Sequence, residues 1–303
     1  MEIDTQISSL PVLEALASES RLRIINLLAT GEFNIKQIAE KLFLSSGIVT
    51  RHVKQLEEAG LIVTHSVSNK GGNHKICRLA IDELYVRFPG KVFPDYEIHQ
   101  ESIPVGHFTD YYATPTCGLA TYTNYIGELD QPMNFMNPQR MDAEIIWLTS
   151  GFLEYKIPNY LIISQQKPEL LEIILEIASE FPISNNNWPS SIGFHINDTY
   201  VGSWTIPGNY SDVRGKLNPD WWPNRNSQYG LLKTLRVTPH ETLVDGEAIS
   251  QVTLDDINLD STLVKIKIEV EKKDYAGGLT IFGKRFGNYP QNIIYKMYYS
   301  ILD

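Results

Sequence analysis

The sequence predicts an α+β protein with two domains, on the basis of three observations. Apolar residues at three- and four-residue spacing are concentrated before Gly60, which is typical of amphipathic helices. Most of the later chain consists of short runs of strand composition separated by turn residues. Between these parts, Phe88–Pro94 contains two prolines and a glycine, which interrupt any continuing element. We therefore expect a small domain at residues 1–90 and a larger one at residues 91–303.

Two helices separated by a tight turn are predicted in the small domain, at Ile35–Leu42 and from Ser45 to Ala59. Ser45 is a good N-cap, and Gly60 suits the left-handed position just past the end of the second helix. The apolar positions that would face a core are Ile35, Ile38, Ala39, Leu42, Ile48, Val49, Val53 and Leu56.

A two-stranded ribbon is predicted next, because Leu61–Val67 and Lys75–Ile81 have strand composition and flank the turn Ser68–Asn73. A helix, a turn, a second helix and a basic ribbon in this order indicate a winged helix-turn-helix, which is a DNA-reading module. Winged helices also serve as protein-contact modules, and this alternative stays open.

The second helix has the side chains that a recognition helix needs. Small residues at its N-terminal end allow close approach to base edges, while Arg51 and Lys54 can reach phosphates or a guanine. The predicted DNA-contacting residues are Ser45, Ser46, Gly47, Thr50, Arg51, Lys54 and Lys70.

Charge is distributed unevenly along the chain. From Lys36 to Arg78 there are seven Lys or Arg and three Glu, whereas residues 89–303 account for the whole formal net charge of −10. Since an acidic domain repels the phosphate backbone, we expect the larger domain to have a task other than binding DNA.

The N-terminal residues resemble the ArsR-type winged helix-turn-helix family of bacterial repressors. The likeness rests on a serine-led second helix, on Arg51-His52, on Leu56-Glu-Glu-Ala-Gly-Leu61 and on the basic ribbon, and Leu13–Leu28 fits the family's first helices. The resemblance implies double-stranded DNA as the partner. Because one small recognition helix contacts few base pairs, we also expect a homodimer that uses Leu10–Leu28, the larger domain, or both.

Many members of this family sense metals through paired cysteines on the helix before the recognition helix. The equivalent segment here, Glu32–Leu42, contains no Cys or His, and His52, His65 and His74 are more simply explained as a packing residue and two solvated ones. We therefore predict no metal site and no cofactor. Cys77 and Cys117 are the only cysteines and imply no disulfide framework. No apolar run reaches transmembrane length and no signal peptide is evident, so a cytoplasmic location without membrane contact is expected.

The larger domain is predicted to be an antiparallel β-sandwich or jelly roll with one inserted helix at Lys167–Ala178, where Pro168 suits the first turn. The strand-like runs are Tyr96–Ile103, Ala143–Leu148, Leu153–Ile157, Tyr160–Ile163, Ser191–Ile196, Thr199–Ile206, Leu231–Val237, Ser261–Val270 and Gly278–Phe282.

A loop from Asn209 to Arg225 is the densest in functional side chains. Aromatic faces stack on sugar rings while Asp, Asn and Arg pair with hydroxyls, so its composition suits a small polar effector such as a carbohydrate. The predicted ligand-binding residues are Asp212, Arg214, Asn218, Asp220, Trp221 and Trp222. The equally weighted alternative is that the tryptophans plug the end of the sandwich and the polar residues lock the loop.

The whole arrangement resembles a group of ArsR-like regulators whose large second domain is taken to be a sensor. The sequence therefore predicts a DNA-binding transcriptional regulator of repressor type that senses a small molecule and is not an enzyme. Two alternatives for the second domain remain. A glycosidase-like site would need two carboxylates, such as Asp212 with Asp220 or Glu144 with Glu154, and a protein-recruiting domain would present an apolar patch.

Overall fold

The computed structural model describes residues 1–69, 72–88, 96–163, 166–183, 185–272 and 277–301. The chain divides into two compact units, Met1–Phe93 and Pro94–Asp303. Most of the predicted linker, residues 89–95, lies outside the described residues. Among the described residues, no helix is long and apolar enough to cross a membrane.

In the residues that the structure describes, the N-terminal unit has four α-helices, one 3₁₀ turn (Ile7–Ser9) and five strands. The helices are α1 (Leu10–Leu16), α2 (Glu19–Leu28), α3 (Ile35–Leu42) and α4 (Ser46–Glu58). The strands are β1 (Glu2–Asp4), β2 (Phe33–Asn34), β3 (Ile62–Asn69), β4 (Gly72–Leu79) and β5 (Tyr85–Arg87). Strand β4 pairs antiparallel with β2 and β3, and β1 pairs parallel with β5.

Local signals set the ends of α3 and α4. Asn34 and Gln37 form a capping box at the start of α3, in which each side chain accepts a hydrogen bond from the other residue's backbone N–H. After α4, the Gly60 N–H donates to the Glu57 carbonyl and the Leu61 N–H to the Leu56 carbonyl, with Gly60 at φ +71°. This arrangement needs a left-handed residue, so a glycine there stops the helix at the predicted point.

The C-terminal unit consists of strands and short 3₁₀ turns. Its strands are β6 (Glu97–Ile103), β7 (Asp110–Ala120), β8 (Ile145–Pro158), β9 (Gln166–Ala178), β10 (Ser190–Ile196), β11 (Thr199–Ile206), β12 (Leu231–Val237), β13 (Thr242–Val244), β14 (Glu247–Ser250), β15 (Leu263–Val270), β16 (Leu279–Phe282) and β17 (Ile293–Ile301).

These strands form an antiparallel sandwich whose two sheets are joined by β16. One sheet has the order β11-β10-β15-β8-β7 and the other β14-β13-β12-β9-β17-β6, and β16 pairs with both β8 and β9. Inward side chains from both sheets, such as Leu153, Ile266, Ile173 and Met297, belong to one apolar core. The two-domain α+β class predicted from the sequence is therefore confirmed.

The prediction of an inserted helix at Lys167–Ala178 is wrong, because this segment is strand β9. Strand β9 pairs with β12 on one side and with β17 and β16 on the other, and most of its residues are buried. A strand covered on both faces reads as a continuous apolar run, which periodicity alone does not separate from a buried helix. Glu172 and Glu176 added to the ambiguity, since a four-residue spacing places side chains on one face of a helix and of a strand alike.

Other differences concern strand boundaries. The two runs predicted at Ala143–Leu148 and Leu153–Ile157 form the single long strand β8, and Tyr160–Ile163 is a 3₁₀ turn. Strands β7 and β17 were not predicted. Strand β17 alternates between buried and half-buried residues, whereas β7 ends in four consecutive buried residues.

Candidate nucleic-acid interface and ligand cavity

The helix α4 is held against the N-terminal core by one apolar face and by an arginine from α2. Val49, Val53 and Leu56 are buried, and Ser45 caps the helix by accepting a hydrogen bond from the Ile48 N–H at 3.3 Å. Arg21 donates to the Ala15 carbonyl at 2.6 Å, to the Glu14 carbonyl at 2.6 Å and to Gln55 Oε1 at 2.9 Å. These bonds tie α4 to α1 and α2, which fixes the direction in which its outer face points.

That outer face carries the residues predicted to contact DNA. The exposed residues among them are Ser45, Ser46, Gly47, Thr50, Arg51 and Lys54. The Thr50 hydroxyl donates to the Ser46 carbonyl at 2.8 Å, and Lys54 Nζ lies 3.7 Å from Glu58 in an exposed pair. Lys70 lies outside the described residues.

Two further features of this face bear on close approach to a partner. A Cβ atom added at Gly47 would meet nothing within 4 Å, so nothing inside the unit requires a glycine there. Ile48, which the sequence assigned to the apolar core face, is instead 47% exposed beside the polar face. Ile48 lies about 100° around the helix from Val49, at the edge of the buried face that Val49, Val53 and Leu56 form. An exposed aliphatic side chain here can contact a thymine methyl group.

The C-terminal end of α4 is joined by an ion pair to the wing, which is the ribbon formed by β3 and β4. Glu57 Oε2 lies 2.7 Å from Lys75 Nζ on β4, and the Thr64 hydroxyl on β3 also donates to Glu57. The Lys75 hydrogen bond, followed by that of Thr64, lowers the pKa of Glu57. Lys75 is thus engaged in holding the wing to the helix.

The predicted effector loop, Asn209 to Arg225, is organised around a buried tryptophan. Trp222 is 3% exposed and packs with Ala120, Ile145, Ala178, Phe282 and Phe286. Its indole N–H donates to the Ser227 carbonyl at 2.9 Å. The half-buried Trp221 donates its indole N–H to the Tyr122 carbonyl at 2.7 Å. These contacts match the alternative in which the tryptophan pair closes the end of the sandwich.

The polar residues of the loop mostly bind the loop itself. Arg214 donates to the carbonyl oxygens of Pro219 and Trp222 at 2.6 and 3.3 Å. The Asn218 amide donates to the Gln228 carbonyl at 2.8 Å and accepts from the Gly287 N–H at 2.8 Å. Asp212 accepts a hydrogen bond from the Tyr229 hydroxyl at 2.8 Å, whereas Asp220 is exposed. The structure therefore does not gather the six predicted ligand-binding residues around one cavity.

A cavity of about 350 Å³ lies beside this loop, and Trp222 is the only predicted ligand-binding residue among those that line it. Such a volume is at the lower end of the range for small-molecule pockets. Its buried lining includes Ile145, Glu180, Trp222, Ser227 and Thr280. The exposed lining residues are Leu129, Asp130, Pro182, Ile183 and Arg225.

Aromatic rings make up much of the cavity wall. Trp147 and Trp222 have ring centroids 5.9 Å apart, and Tyr125 lies 6.3 and 5.6 Å from these two rings. Phe181 also lines the cavity. The Tyr125 hydroxyl accepts a hydrogen bond from the Asn226 amide at 3.2 Å.

Glu180 contributes a carboxyl group to the buried part of this lining. It is 7% exposed and accepts hydrogen bonds from the Thr116 and Thr280 hydroxyls at 3.1 and 3.2 Å. Burial raises its pKa to about 8, these two hydroxyls act in the opposite direction, and the nearby Asp130 raises it further. The sequence did not identify Glu180 as a site residue, because Glu180 comes just after Lys167–Ala178, the segment that was predicted to be a helix.

The described residues contain no group of three or more His, Cys, Asp or Glu that could hold a metal ion. Cys77 and Cys117 are both free and buried, and burial raises the pKa of each thiol to about 11. Neither thiol is therefore suited to act as a thiolate near neutral pH. The pKa of His52 is lowered, first by burial and then by the charge of Arg21.

Residues 18–64 match the family model for bacterial regulatory proteins of the arsR family. The match covers α2, α3, α4 and the start of β3, and thus the whole helix-turn-helix. Comparison with curated proteins gave no match.

Solved structures similar to parts of the chain fall into two groups. HlyU from Vibrio cholerae N16961 is 25% identical over 24% of this chain and 75% of its own, with a TM-score of 0.22. The homodimeric winged helix-turn-helix DNA-binding domain of Mb0332 from Mycobacterium bovis is 27% identical over 24% of this chain and 66% of its own, also at 0.22. A carbohydrate-binding module, CBM36 in complex with calcium and xylotriose, is 11% identical over 67% of this chain and 99% of its own, at 0.29.

Proposed function

We propose that this chain is a transcriptional regulator that binds double-stranded DNA. Its residues 18–64 form an ArsR-family helix-turn-helix, which is followed by a wing and a large β-rich unit. The observation that carries the proposal is the outer face of α4. Its small N-terminal residues, Arg51 and Lys54 are exposed together, on a helix fixed by Arg21 and by buried apolar residues. A helix of this kind fits the major groove with its N-terminal residues at the base edges.

The expected assembly on DNA is a homodimer, for a geometric reason. One α4 helix reaches too few base pairs to single out an operator in a genome, whereas two copies read two half-sites about one helical turn apart. Ile7, Leu10, Leu13 and Leu22, on and around the first two helices, are large apolar side chains exposed in the single chain. This apolar surface supports self-association through the segment Leu10–Leu28.

Regulation in this proposal comes from a small polar effector in the C-terminal unit. A cavity with aromatic walls and inward polar groups suits a ligand with ring faces and hydroxyls, such as a carbohydrate. The regulator acts by binding and not by catalysis, since three of the carboxylates considered for a glycosidase have structural partners. Glu144 pairs with Arg285, Glu154 with Lys156 and Asp212 with Tyr229. The ligand binds two geometries of the dimer with different affinity. Its binding therefore shifts the balance between them and changes the affinity of the dimer for the operator.

The DNA-binding part is tested by selecting an operator from a random duplex library with the full chain. Affinity for the selected sequence is then measured for Arg51→Ala and for Arg23→Ala, a matched control at an exposed position on α2. We expect Arg51→Ala to weaken binding by about five- to 150-fold and Arg23→Ala to leave it close to the parent value. Failure to enrich any sequence, or equal effects of the two substitutions, would contradict the proposal.

The effector part is tested by thermal shift against a panel of sugars and polyols, followed by operator release. A ligand at a hundred times its dissociation constant adds about 2.7 kcal/mol to the free energy of unfolding, which is readily measured. The proposal requires that a stabilising ligand also changes operator affinity. A ligand that stabilises the chain and leaves operator affinity unchanged would argue against sensing.

A further inference from the structure

Three buried glutamates follow one another at four-residue spacing along β9 and just beyond its end. Glu172, Glu176 and Glu180 are 5%, 1% and 7% exposed. A carboxylate removed from water is costly unless hydrogen bonds or an opposite charge replace its hydration. The three residues therefore allow a direct comparison of how each carboxyl group is compensated.

The first two carboxyl groups are held by cations or by backbone N–H groups of the fold, although burial still raises the pKa of Glu176 to about 7. Glu172 receives Arg236 Nε at 2.8 Å and Lys296 Nζ at 3.4 Å, which are two cations. Glu176 accepts backbone N–H groups from Gly230, Asn288 and Tyr289 at 2.9 to 3.1 Å. Neither residue lines the cavity.

Glu180 lacks compensation of this strength. Its partners are the Thr116 and Thr280 hydroxyls and the Phe181 backbone, and no ion pair to it is found among the residues that the structure describes. The charge that acts on it most clearly is that of Asp130, which has the same sign. Glu180 is also the one of the three that lines a cavity open to solvent at its outer residues.

The surroundings of Glu180 are those that a positively charged organic group prefers. Tyr125, Trp147 and Trp222 provide ring faces around the same cavity, and a cation over an aromatic face is attracted by the ring, most strongly where water is excluded. A buried carboxyl without a cationic partner supplies the counter-charge. A neutral sugar would contact the rings and leave this carboxyl in its protonated form.

We propose that the cavity binds a small organic ammonium ion of single-ring size, best represented by an amino sugar, with Glu180 as its counter-ion. This assignment rests on the proposed effector function of the C-terminal unit and specifies its ligand class. The ammonium group pairs with the Glu180 carboxylate among the aromatic rings. Hydroxyl groups on the same ligand pair with Asp130, Arg225 and Asn226 toward the exposed side.

Binding is coupled to release of a proton in this proposal. In the empty cavity at neutral pH, burial keeps Glu180 largely protonated. When the ammonium ion binds, Glu180 gives its proton to solvent and becomes the carboxylate of the ion pair. No covalent bond forms or breaks apart from the loss of this one proton. A neutral ligand would leave the proton in place, so the proton count distinguishes the two classes.

The experiment is isothermal titration of the full chain with glucosamine, and with glucose and N-acetylglucosamine as analogues that lack the positive charge. Titrations at roughly pH 6.5 in two buffers of different ionisation enthalpy give the number of protons released. We expect glucosamine to bind at least tenfold more tightly than both analogues, with release of close to one proton. Equal binding of glucose and glucosamine, or binding of no amine at millimolar concentration, would overturn the assignment.

Matched variants locate the charge that is responsible. Glu180→Gln keeps the shape and the contacts with the threonines but cannot ionise, so it should abolish the preference for glucosamine over glucose. Glu128→Gln removes an exposed carboxylate from the loop that carries Leu129 and Asp130, and should keep the preference. Should Glu180→Gln melt early, the analogue series and the proton count of the unaltered chain still decide the question.

The outcome is separable from that of the proposed function. Operator binding by the N-terminal unit is measured without any ligand. Binding of neutral sugars with release of DNA would overturn the ammonium assignment and leave the sensor proposal standing. Loss of sequence-specific DNA binding would overturn the regulator proposal whatever binds in the cavity.

Discussion

Arg214 donates a hydrogen bond through Nη2 to the carbonyl oxygen of Pro219 at 2.6 Å, and thereby closes the loop that leads to Trp222. Its Nη1 also reaches Asn224 Oδ1 at 2.5 Å. An exposed arginine that satisfies loop carbonyls stabilises the loop by less than a buried one would, because water competes for the same groups.

Arg214→Ala should therefore lower the free energy of unfolding by about 1–2 kcal/mol. Asp220→Ala is the matched control in the same loop, since Asp220 is exposed and has no hydrogen bond among the described residues, and it should change stability by less than about 0.5 kcal/mol. Chemical denaturation of both variants provides the measurement. Equal stability of the two would show that the arginine does not hold the loop.

Trp222→Ala should destabilise the C-terminal unit by about 3–5 kcal/mol, because the ring is almost fully buried among other aromatic and apolar side chains. Trp221→Ala should cost clearly less, since that ring is only half-buried. Thermal melting followed by circular dichroism checks both. A stable Trp222→Ala protein that has lost its response to effector would instead indicate that the ring serves the ligand and not the fold.

Two basic residues of the N-terminal unit should affect DNA binding in different ways. Arg51→Ala should cost about 1–3 kcal/mol on the selected operator if the guanidinium reads a guanine, and much less on unrelated DNA. Lys70→Ala, in the turn predicted at Ser68–Asn73, should weaken all sequences alike and reduce the slope of log K against log salt by about one. Fluorescence anisotropy over a salt series separates these effects. The same behaviour in both variants would refute the assignment of Arg51 to reading a base and of Lys70 to contacting phosphates.

Gly47→Ala should raise stability and lower operator affinity at the same time. A methyl group at this position meets open space within the chain, and alanine favours the helix over glycine by about 0.5 kcal/mol near a helix end. If α4 lies in the major groove, the added methyl group sits against the DNA. Melting temperature and operator affinity would be measured on one preparation, and unchanged affinity would place Gly47 away from the DNA.

The free energy of unfolding should decrease as pH rises between about 4.5 and 8. The folded-state pKa of Glu180 is raised to about 8, so the folded chain holds a proton that the unfolded chain has released in this interval. The effect is fully present below the unfolded pKa and is lost as pH passes through the folded pKa. Its slope is about 1.4 kcal/mol per pH unit for one such group.

Glu180→Gln should flatten this decrease, most clearly between pH 7 and 8, because burial raises the pKa of Glu176 only to about 7. Urea denaturation at several pH values measures the slope. An unchanged slope in the variant would show that Glu180 is already ionised in the folded chain.

The helix-turn-helix could be predicted from the sequence because its signals are local. The cap at Ser45, the stop at Gly60 and the apolar spacing of Val49, Val53 and Leu56 all act within a few residues of one another. The exposure of the polar residues on α4 follows from the same spacing. Ile48 is the exception, because it lies at the edge of the face that Val49, Val53 and Leu56 form, and spacing alone does not show how far the core covers that edge.

The cavity could not be predicted in this way. Glu180 follows β9, Trp147 lies on β8, Thr280 on β16 and Trp222 in the loop after β11, and only strand pairing brings them together. The tryptophan pair was found from its unusual composition, and Trp222 of this pair lines the cavity. Its polar neighbours Arg214 and Asn218 were assigned to a ligand because composition alone does not show whether a polar group is aimed at a ligand or at the backbone of its own loop.

By itself the sequence determined the position of the DNA-binding module, the two-domain organisation and the strand-rich nature of the second unit, because periodicity, caps and turns are properties of adjacent residues. Only the tertiary structure decided that Lys167–Ala178 is a strand, since hydrogen bonds to β12 and β17 outweigh a helical pattern. The same pairing carries Glu172 and Glu176 into the interior, and Glu180 is buried just beyond the end of the strand, so that the three have different environments. Glu180 adjoins the cavity because side chains distant in sequence meet there, and burial among them sets its charge.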